Sequence, residues 1–374
     1  MMDVVETPSA PPQRRVLLLT HTGRQDAITA ALQSAAMLSQ AGITPVMLAE
    51  DIAVVRSTSS SEDLAVFEPE TLGLECTLGE IHLGLVLGGD GSVLRAAELV
   101  RGSAVPLMAV NLGHVGFLAE SERTDLSRTV QAIAENDFVV DERTALDVVV
   151  YEDGCEVART WALNEASVEK SNRERMLEVV VSVDDHALSS YGCDGVVMAT
   201  PTGSTAYAFS AGGPVVWPGV EALLLVPISA HTLFSRPLVV GPFSRFAVDV
   251  LTRTNETGVL WCDGRRTVIL PPAARVEVSR SAEPVRLARL SRTPFADRLV
   301  RKFKLPTQGW RGPVTGEERA EAAAARAVET VEPRHEAPRP HVIPPTTSAI
   351  PIVRAARPAS SSARQTSDGT EVQP

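Results

Sequence analysis

The 374-residue chain is poor in cysteine: Cys76, Cys155, Cys193 and Cys262 are widely spaced and form no C-x-x-C pair. That spacing argues against a disulfide framework and against a thiolate zinc site. No apolar run reaches about eighteen residues, so no membrane span is expected. Basic excess is absent too. The formal net charge is −11, whereas a duplex nucleic-acid binder needs a cationic face. The N-terminal "MMDVVETPSAPPQRR" lacks a basic region followed by an apolar core. No signal peptide is therefore read, and a cytoplasmic protein is the expectation. There is no G-x-S-x-G elbow of a serine hydrolase. No Lys-Ser or Lys-Thr follows a glycine run at Walker spacing. Aromatic residues make up 4% of the chain, and none follows Trp310.

That last absence helps to divide the chain. Residues 311–374 are rich in Pro, Ala and Ser, and they carry eight acidic and eight basic residues. Such a segment buries too little apolar surface to offset its chain entropy, so a disordered tail is expected. The net charge then lies wholly in residues 1–310. Residues 1–13 read as a loose N-terminus.

Two textures fill the body. Over residues 14–140, apolar runs alternate with helical patterns. "RVLLLT", "TPVMLA", "IHLGLVL" and "VPLMAVNLG" read as strands. "QDAITAALQSAAMLSQAG", "SVLRAAELVRG" and "DLSRTVQAIAEND" read as helices, the first closed by Gly42. The alternation predicts a parallel sheet covered by helices. The stretch from Val55 to Glu80, with its "STSSSED", shows no clear period and is read as including a mobile loop. Over residues 141–291, "TALDVVVYE", "MLEVVVSVD", "FAVDVLT", "RTVIL" and "RVEVSR" are short strands parted by turn signals. They predict a largely antiparallel, all-β second domain. A last helix over 292–305 is expected to return to the first domain.

The stretch "LGLVLGGDGSVLRAAEL", Leu83–Leu99, stands between a strand and a helix. Glycines supply positive φ cheaply and Asp or Ser can cap a helix, so a plain turn would account for part of it. A dinucleotide cradle would need G-x-G-x-x-G, and the third glycine is missing, because Leu94 stands there. Phosphoryl transfer fits better. Amides of Gly88 to Ser92 can bind phosphate oxygens, and Asp90 among them can take a hydroxyl proton or organise magnesium. Such a reaction requires positioning and charge neutralisation more than covalent chemistry by the protein.

Three further stretches stand out. "YGCDGVVMATPTGSTAYAFSAGGPVVWP" packs hydroxyls, glycines and Tyr207 densely enough to suit a nucleotide. It could equally be turn chemistry. "WALNEASVEK" sets Asn164-Glu165 between apolar flanks, and "WCDGRR" alone reads as an Asp-Gly hairpin turn. Cationic candidates for neutralising an anionic ligand are Arg24, Lys170, Arg173 or Arg175, Arg236, and Arg265 or Arg266. His114 and His231 read as turn or core histidines. No His/Cys/Asp cluster has metal-ligand spacing.

Taken in order, the GGDG loop, "NLGHVGFLAE" from Asn111, Asn164-Glu165, "DGVVMATPTGSTAYAFSAGGP" from Asp194, and Asp263-Gly264 resemble the NAD kinase family, with an actinobacterial flavour in "DRLVRKF" and the closing "GW". The resemblance covers about Arg15 to Trp310 and leaves the tail unassigned. It implies a Rossmann-like α/β domain, a β-sandwich-like second domain, and ATP-dependent phosphorylation of the adenosine ribose 2′-hydroxyl of NAD. Asp90 would be the general base or orient that hydroxyl. Gly88, Gly89 and Gly91, with Ser92 and Arg95, would meet phosphates. Phe117 and Leu118 would contact the adenosine region, and Asn164 and Glu165 would hold adenine and ribose. Asp194 would meet the nicotinamide end. Thr202, Thr205, Ala206, Tyr207 and Ser210 would line the NAD pocket, and Asp263 would approach the ribose from a neighbouring subunit. Mg2+ would arrive with ATP, inorganic polyphosphate could replace ATP as donor, and a homodimer or homotetramer is implied. Two alternatives stay open: a GGDG kinase of lipids or sugar phosphates, and a non-catalytic NAD(P)-binding regulator.

Overall fold

The computed structural model describes residues 13–60, 62, 64–113, 116–119, 121–122, 125–172, 174–252, 257–290 and 294–307. The expected loose N-terminus (all but residue 13), the 311–374 tail, His114 and Arg173 lie outside them.

The chain begins β1 (Arg15–Thr20), α1 (Gln25–Gln40), β2 (Thr44–Met47), α2 (Ala49–Thr58), β3 (Glu70–Thr71) and β4 (Leu83–Leu87). It continues α3 (Asp90–Leu99), β5 (Leu107–Asn111), β6 (Ser121–Glu122), α4 (Leu126–Glu135) and β7 (Val139–Arg143). Gly42, just beyond α1, has φ +72°, the left-handed conformation that glycine permits at a helix end. β1, β4 and β5 are almost wholly buried, as strands covered on both faces must be.

Next come β8 (Leu146–Glu152), β9 (Cys155–Ala162), β10 (Glu165–Lys170), β11 (Leu177–Val183), β12 (His186–Cys193) and β13 (Gly195–Ala199). After the one-turn helix α5 (Tyr207–Ser210) come β14 (Leu223–Ile228), β15 (Leu238–Val240), β16 (Phe246–Val250) and β17 (Gly258–Cys262). Finally come β18 (Arg266–Leu270), β19 (Arg275–Arg280), β20 (Val285–Arg289) and α6 (Phe295–Phe303).

The first sheet runs β3-β2-β1-β4-β5-β20-β7, with β6 beside β5. All its pairs are parallel except β20 with β7. Two six-stranded antiparallel sheets, β15-β14-β13-β10-β17-β18 and β12-β11-β16-β19-β8-β9, bury one shared core. Val148, Val179 and Val248 of one sheet meet Val168, Met198 and Leu225 of the other in it. Alternating apolar strands from two sheets make a sandwich.

Three local expectations change. β20, read inside the β-rich stretch 141–291, is a strand of the first sheet. Residues 49–58 form α2, a helix the sequence pattern does not show. The last helix packs on both regions: Phe295 and Phe303 stack near Phe117, while Phe303 also meets Phe209, and Phe295 meets Trp217. Among the described residues, no helix is long and apolar enough to cross a membrane.

Candidate active site

β4 ends at Leu87, and α3 begins at Asp90, so the glycine pair sits at the carboxyl end of a central parallel strand. Ligands collect at that end of open α/β sheets. The glycines serve space rather than unusual backbone, since none of Gly88, Gly89 and Gly91 has positive φ. A Cβ on Gly88 would lie 2.3 Å from Ser92 Oγ, whereas Cβ atoms on Gly89 and Gly91 would meet nothing within 4 Å. Gly88 allows close packing; Gly89 and Gly91 leave a backbone surface open to approach.

That surface lines a cavity of about 440 Å3 with Thr20, His21, Gly23, Ser92 and Arg95. The α3 N-terminus presents unsatisfied N–H groups and a partial positive charge there. Asp51 of α2 is 2% exposed at the cavity wall, and its Oδ2 is buried without a partner. Burial pushes its carboxyl above the usual range, while Arg95, 3.6 Å away, pulls it back.

Asp90 turns its carboxylate away from its own helix. Oδ2 accepts the Phe117 N–H and Oδ1 the Leu118 N–H, each at 3.0 Å. Gly116 makes this approach possible, since a Cβ there would fall 2.2 Å from Asp90 Oδ1. Each oxygen accepts one of these bonds and keeps a second acceptor position.

The sandwich supplies a second cluster. Glu165 opens β10, 8% exposed, and its Oε2 accepts the Tyr207 N–H at 3.3 Å. Burial, with the neighbouring charge of Asp263, pushes its carboxyl up to about 8, so it is mostly protonated at pH 7. The Asn164 carbonyl accepts the Thr200 N–H at 2.9 Å. A Cβ on Gly203 would lie 2.0 Å from that carbonyl oxygen, so the T-P-T-G turn and the Asn-Glu pair fit only with glycine. Thr200 Oγ1 donates to the Leu163 carbonyl at 2.6 Å and accepts the Gly203 N–H at 3.0 Å. Thr202 is buried, Thr205 and Ala206 are half-buried, and Tyr207 and Ser210 are exposed. The Asp194 carboxylate pairs with Lys170 Nζ at 2.6 Å, which holds it below the usual carboxylate range.

Asp263 is held within its own chain. It lies in the turn from β17 to β18 with φ +54° and is 6% exposed. Its carboxylate accepts the N–H groups of Leu163, Asn164 and Glu165, at 2.9, 2.7 and 3.3 Å. Arg266 Nη2 donates to it at 3.0 Å. This carboxylate shapes the Asn-Glu segment of its own chain.

Among the cationic candidates, Arg265 lines the glycine cavity and is gripped by Glu98 Oε2 at 3.0 Å. Glu98 Oε1 also accepts from Arg266. Arg24 pairs with Asp26 at 2.6 Å and reaches the Leu112 carbonyl at 3.5 Å. Arg175, Arg236 and His231 are exposed. Sequence reasoning missed Asp51, Glu98 and the Thr20–Gly23 turn, and met Gly116 only as part of the "NLGHVGFLAE" stretch. For the turn, Gly23, three residues beyond β1, was the available signal. Among the described residues, no group of three or more His, Cys, Asp or Glu can hold a metal ion.

A parallel sheet with a glycine-lined cavity at its strand ends, joined to a sandwich that carries a buried polar cluster around Asn164 and Glu165, defines a two-domain α/β and β-sandwich protein. Residues 16–138 match the ATP-NAD kinase N-terminal domain, and residues 163–290 match the ATP-NAD kinase C-terminal domain. The chain belongs to the ATP-NAD kinase family. It is 57% identical over 306 residues to the NAD kinase of Leifsonia xyli subsp. xyli, covering 80% of this chain and 98% of that one. The NAD kinase of Thermobifida fusca is also 57% identical, over 304 residues, covering 80% and 92%. In fold, the chain is similar to yeast NADH kinase solved with NADH, with TM-score 0.71 and 22% identity over 82% of this chain and 94% of that one.

Proposed function

We propose that the chain transfers the terminal phosphoryl group of ATP to the 2′-hydroxyl of the adenosine ribose of NAD, yielding NADP. The observation that carries this reading is the Asp90 carboxylate, fixed by two backbone N–H groups between the cavity-lining Gly89 and Gly91. The donor phosphates are assigned to that cavity, on the α3 N-terminus, Ser92 and Arg95. The acceptor is assigned to Phe117, Asn164, Glu165, Tyr207 and the T-P-T-G turn, with Asp194 toward the nicotinamide. A protonated Glu165 can donate as well as accept a hydrogen bond, which suits a ribose hydroxyl or an adenine nitrogen.

The chemical roles follow from charge. In a loose transition state the hydroxyl proton leaves late, so an oriented carboxylate suffices to accept it. Asp90 keeps an acceptor position on each oxygen for that proton. The described residues offer no metal cage, so Mg2+ is read as arriving on ATP, where it neutralises phosphate charge. Inorganic polyphosphate is a second donor to be tried.

The reading includes a cytoplasmic location, where ATP and NAD are dissolved, and assembly of identical chains. The exposed side chains of Leu233, Phe234 and Phe243 support the latter, since apolar groups of this size suit a protein contact. Sedimentation velocity giving a dimer or tetramer would bear it out, and a monomer at micromolar concentration would not. For the reaction, purified protein is incubated with NAD, ATP and Mg2+, and NADP is detected with an NADP-specific dehydrogenase. Folded protein that forms no NADP would overturn the proposal.

A further inference from the structure

The glycine cavity has two unlike ends. β2, β1 and β4 lie side by side and parallel. The start of α2, just after β2, and the start of α3, just after β4, are therefore two strand spacings apart, about 10 Å. Both contribute to the cavity wall. At the β4 end, α3 presents its amides, because Asp90 directs its carboxylate to the N–H groups of Phe117 and Leu118. At the β2 end, the first turn of α2 carries two acids, Glu50 and Asp51, which offset the positive end of that helix. Glu50 does so from the surface, whereas Asp51 is 2% exposed and lines the cavity.

Asp51 is a costly residue to keep there. Its Oδ2 is buried and accepts no hydrogen bond, and Arg95 Nη2 stands 3.6 Å from its Oδ1. A buried carboxylate with an unused oxygen lowers stability. Among the described lining residues it is the one carboxylate. A wall of low dielectric screens its charge poorly, so phosphate oxygens are repelled from the β2 end. An uncharged group meets no such barrier. The nucleoside of a nucleoside triphosphate is uncharged, and its O–H and N–H groups can donate to a carboxylate.

We propose that Asp51 sets the direction of the phosphoryl donor, by keeping phosphate charge at the β4 end of the cavity and leaving the β2 end to an uncharged nucleoside. It is thereby a specificity-determining residue for nucleoside triphosphates over bare phosphate chains. Discrimination of this kind uses a repulsive element as well as an attractive one. The inference rests on the reading of this cavity as the donor site. The direction also suits the chemistry, since it brings the terminal phosphate to the end of the cavity where Gly89 and Gly91 flank Asp90.

The test titrates the full chain calorimetrically with ATP and, separately, with inorganic tripolyphosphate, both with Mg2+ present and NADP filling the acceptor pocket. Asp51→Asn keeps the size of the side chain and removes its charge. Tripolyphosphate should bind this variant more tightly than the unmodified chain, and the ratio of ATP affinity to tripolyphosphate affinity should fall about tenfold. Asp51→Ser is the second variant and should shift the ratio in the same direction. Both should fold, as checked by circular dichroism, since Oδ2 has no hydrogen bond to lose. If Asp51 only steadies Arg95, the two affinities fall by the same factor. That outcome, or two unchanged affinities, would overturn the proposal. The same titrations without NADP read the ratio even in a chain that forms no NADP, and NADP formation without the shift sinks the donor-direction proposal alone, so the two readings fail separately.

Discussion

Asp90 and Asp263 each precede a glycine, and each carboxylate accepts backbone N–H groups from a distant segment, yet their surroundings differ. Asp90 accepts two such bonds beside an open cavity at the end of a parallel strand. Asp263 accepts three, plus a guanidinium, and is 6% exposed in the sandwich. The first keeps acceptor capacity next to space for a ligand. The second has its capacity taken up by the chain itself. An Asp-Gly pair in a sequence marks a turn; its chemistry depends on what the rest of the fold leaves unused.

The two regions are linked. Glu98, near the end of the helix that Asp90 begins, grips Arg265 and Arg266. Arg266 also donates to the Trp161 carbonyl at 2.8 Å and sits 4.7 Å from the centre of that ring, which Arg101 approaches to 4.5 Å. The spacing between α3 and the Asn-Glu segment thus rests on charged groups between them.

If the comparison is right, Asp263→Ala should act mainly on stability. It leaves three N–H groups and a guanidinium without their acceptor, at a cost of about 3 kcal/mol, read as a lower urea midpoint. A loss of turnover with an unchanged midpoint would break the comparison by giving Asp263 a chemical role. Glu98→Gln removes the charge from the link and should cost about 1 kcal/mol. The KM for ATP should rise through the loosened Arg265, with a smaller change in kcat.

Glu165 sharpens the same contrast through pH. Its carboxyl is raised to about 8 in the folded chain, so the folded state holds a proton that the unfolded state releases near the ordinary carboxylate range. The stabilisation is complete below that ordinary value and is lost as pH rises toward 8. Urea denaturation at stepped pH should show stability falling over this window, and Glu165→Gln should flatten the fall. The smallest effect is expected from truncation after Trp310: steady-state assay should find turnover unchanged, because the removed composition cannot build a packed surface.

Much of this arrangement was legible in the sequence. The GGDG stretch was read between a strand and a helix because apolar runs bounded it, and the sandwich was read from short strands parted by turns. The rest depended on non-local contacts. β20 joins the first sheet by pairing with β7 across the whole sandwich sequence. Asp263 reaches Asn164 from ninety-nine positions away, a closure that no local pattern encodes. α2 escaped because its buried residues are only Asp51, Ile52 and Val55, too few to establish a helical period. The plain-turn alternative would use the loop glycines for positive φ, whereas none of Gly88, Gly89 and Gly91 has it and the packed structure uses them for room.

The central claim is that Asp90 acts on the transferring group and the other Asp-Gly turn does not. The direct measurement is kcat for NADP formation by Asp90→Asn, beside its NAD affinity and urea midpoint. The account predicts a fall in kcat of about 100- to 10,000-fold with NAD still bound and the midpoint lowered by the equivalent of only about 1 kcal/mol, for the one backbone N–H that the amide nitrogen cannot accept. An Asp90→Asn protein that turns over at the unmodified rate would contradict it.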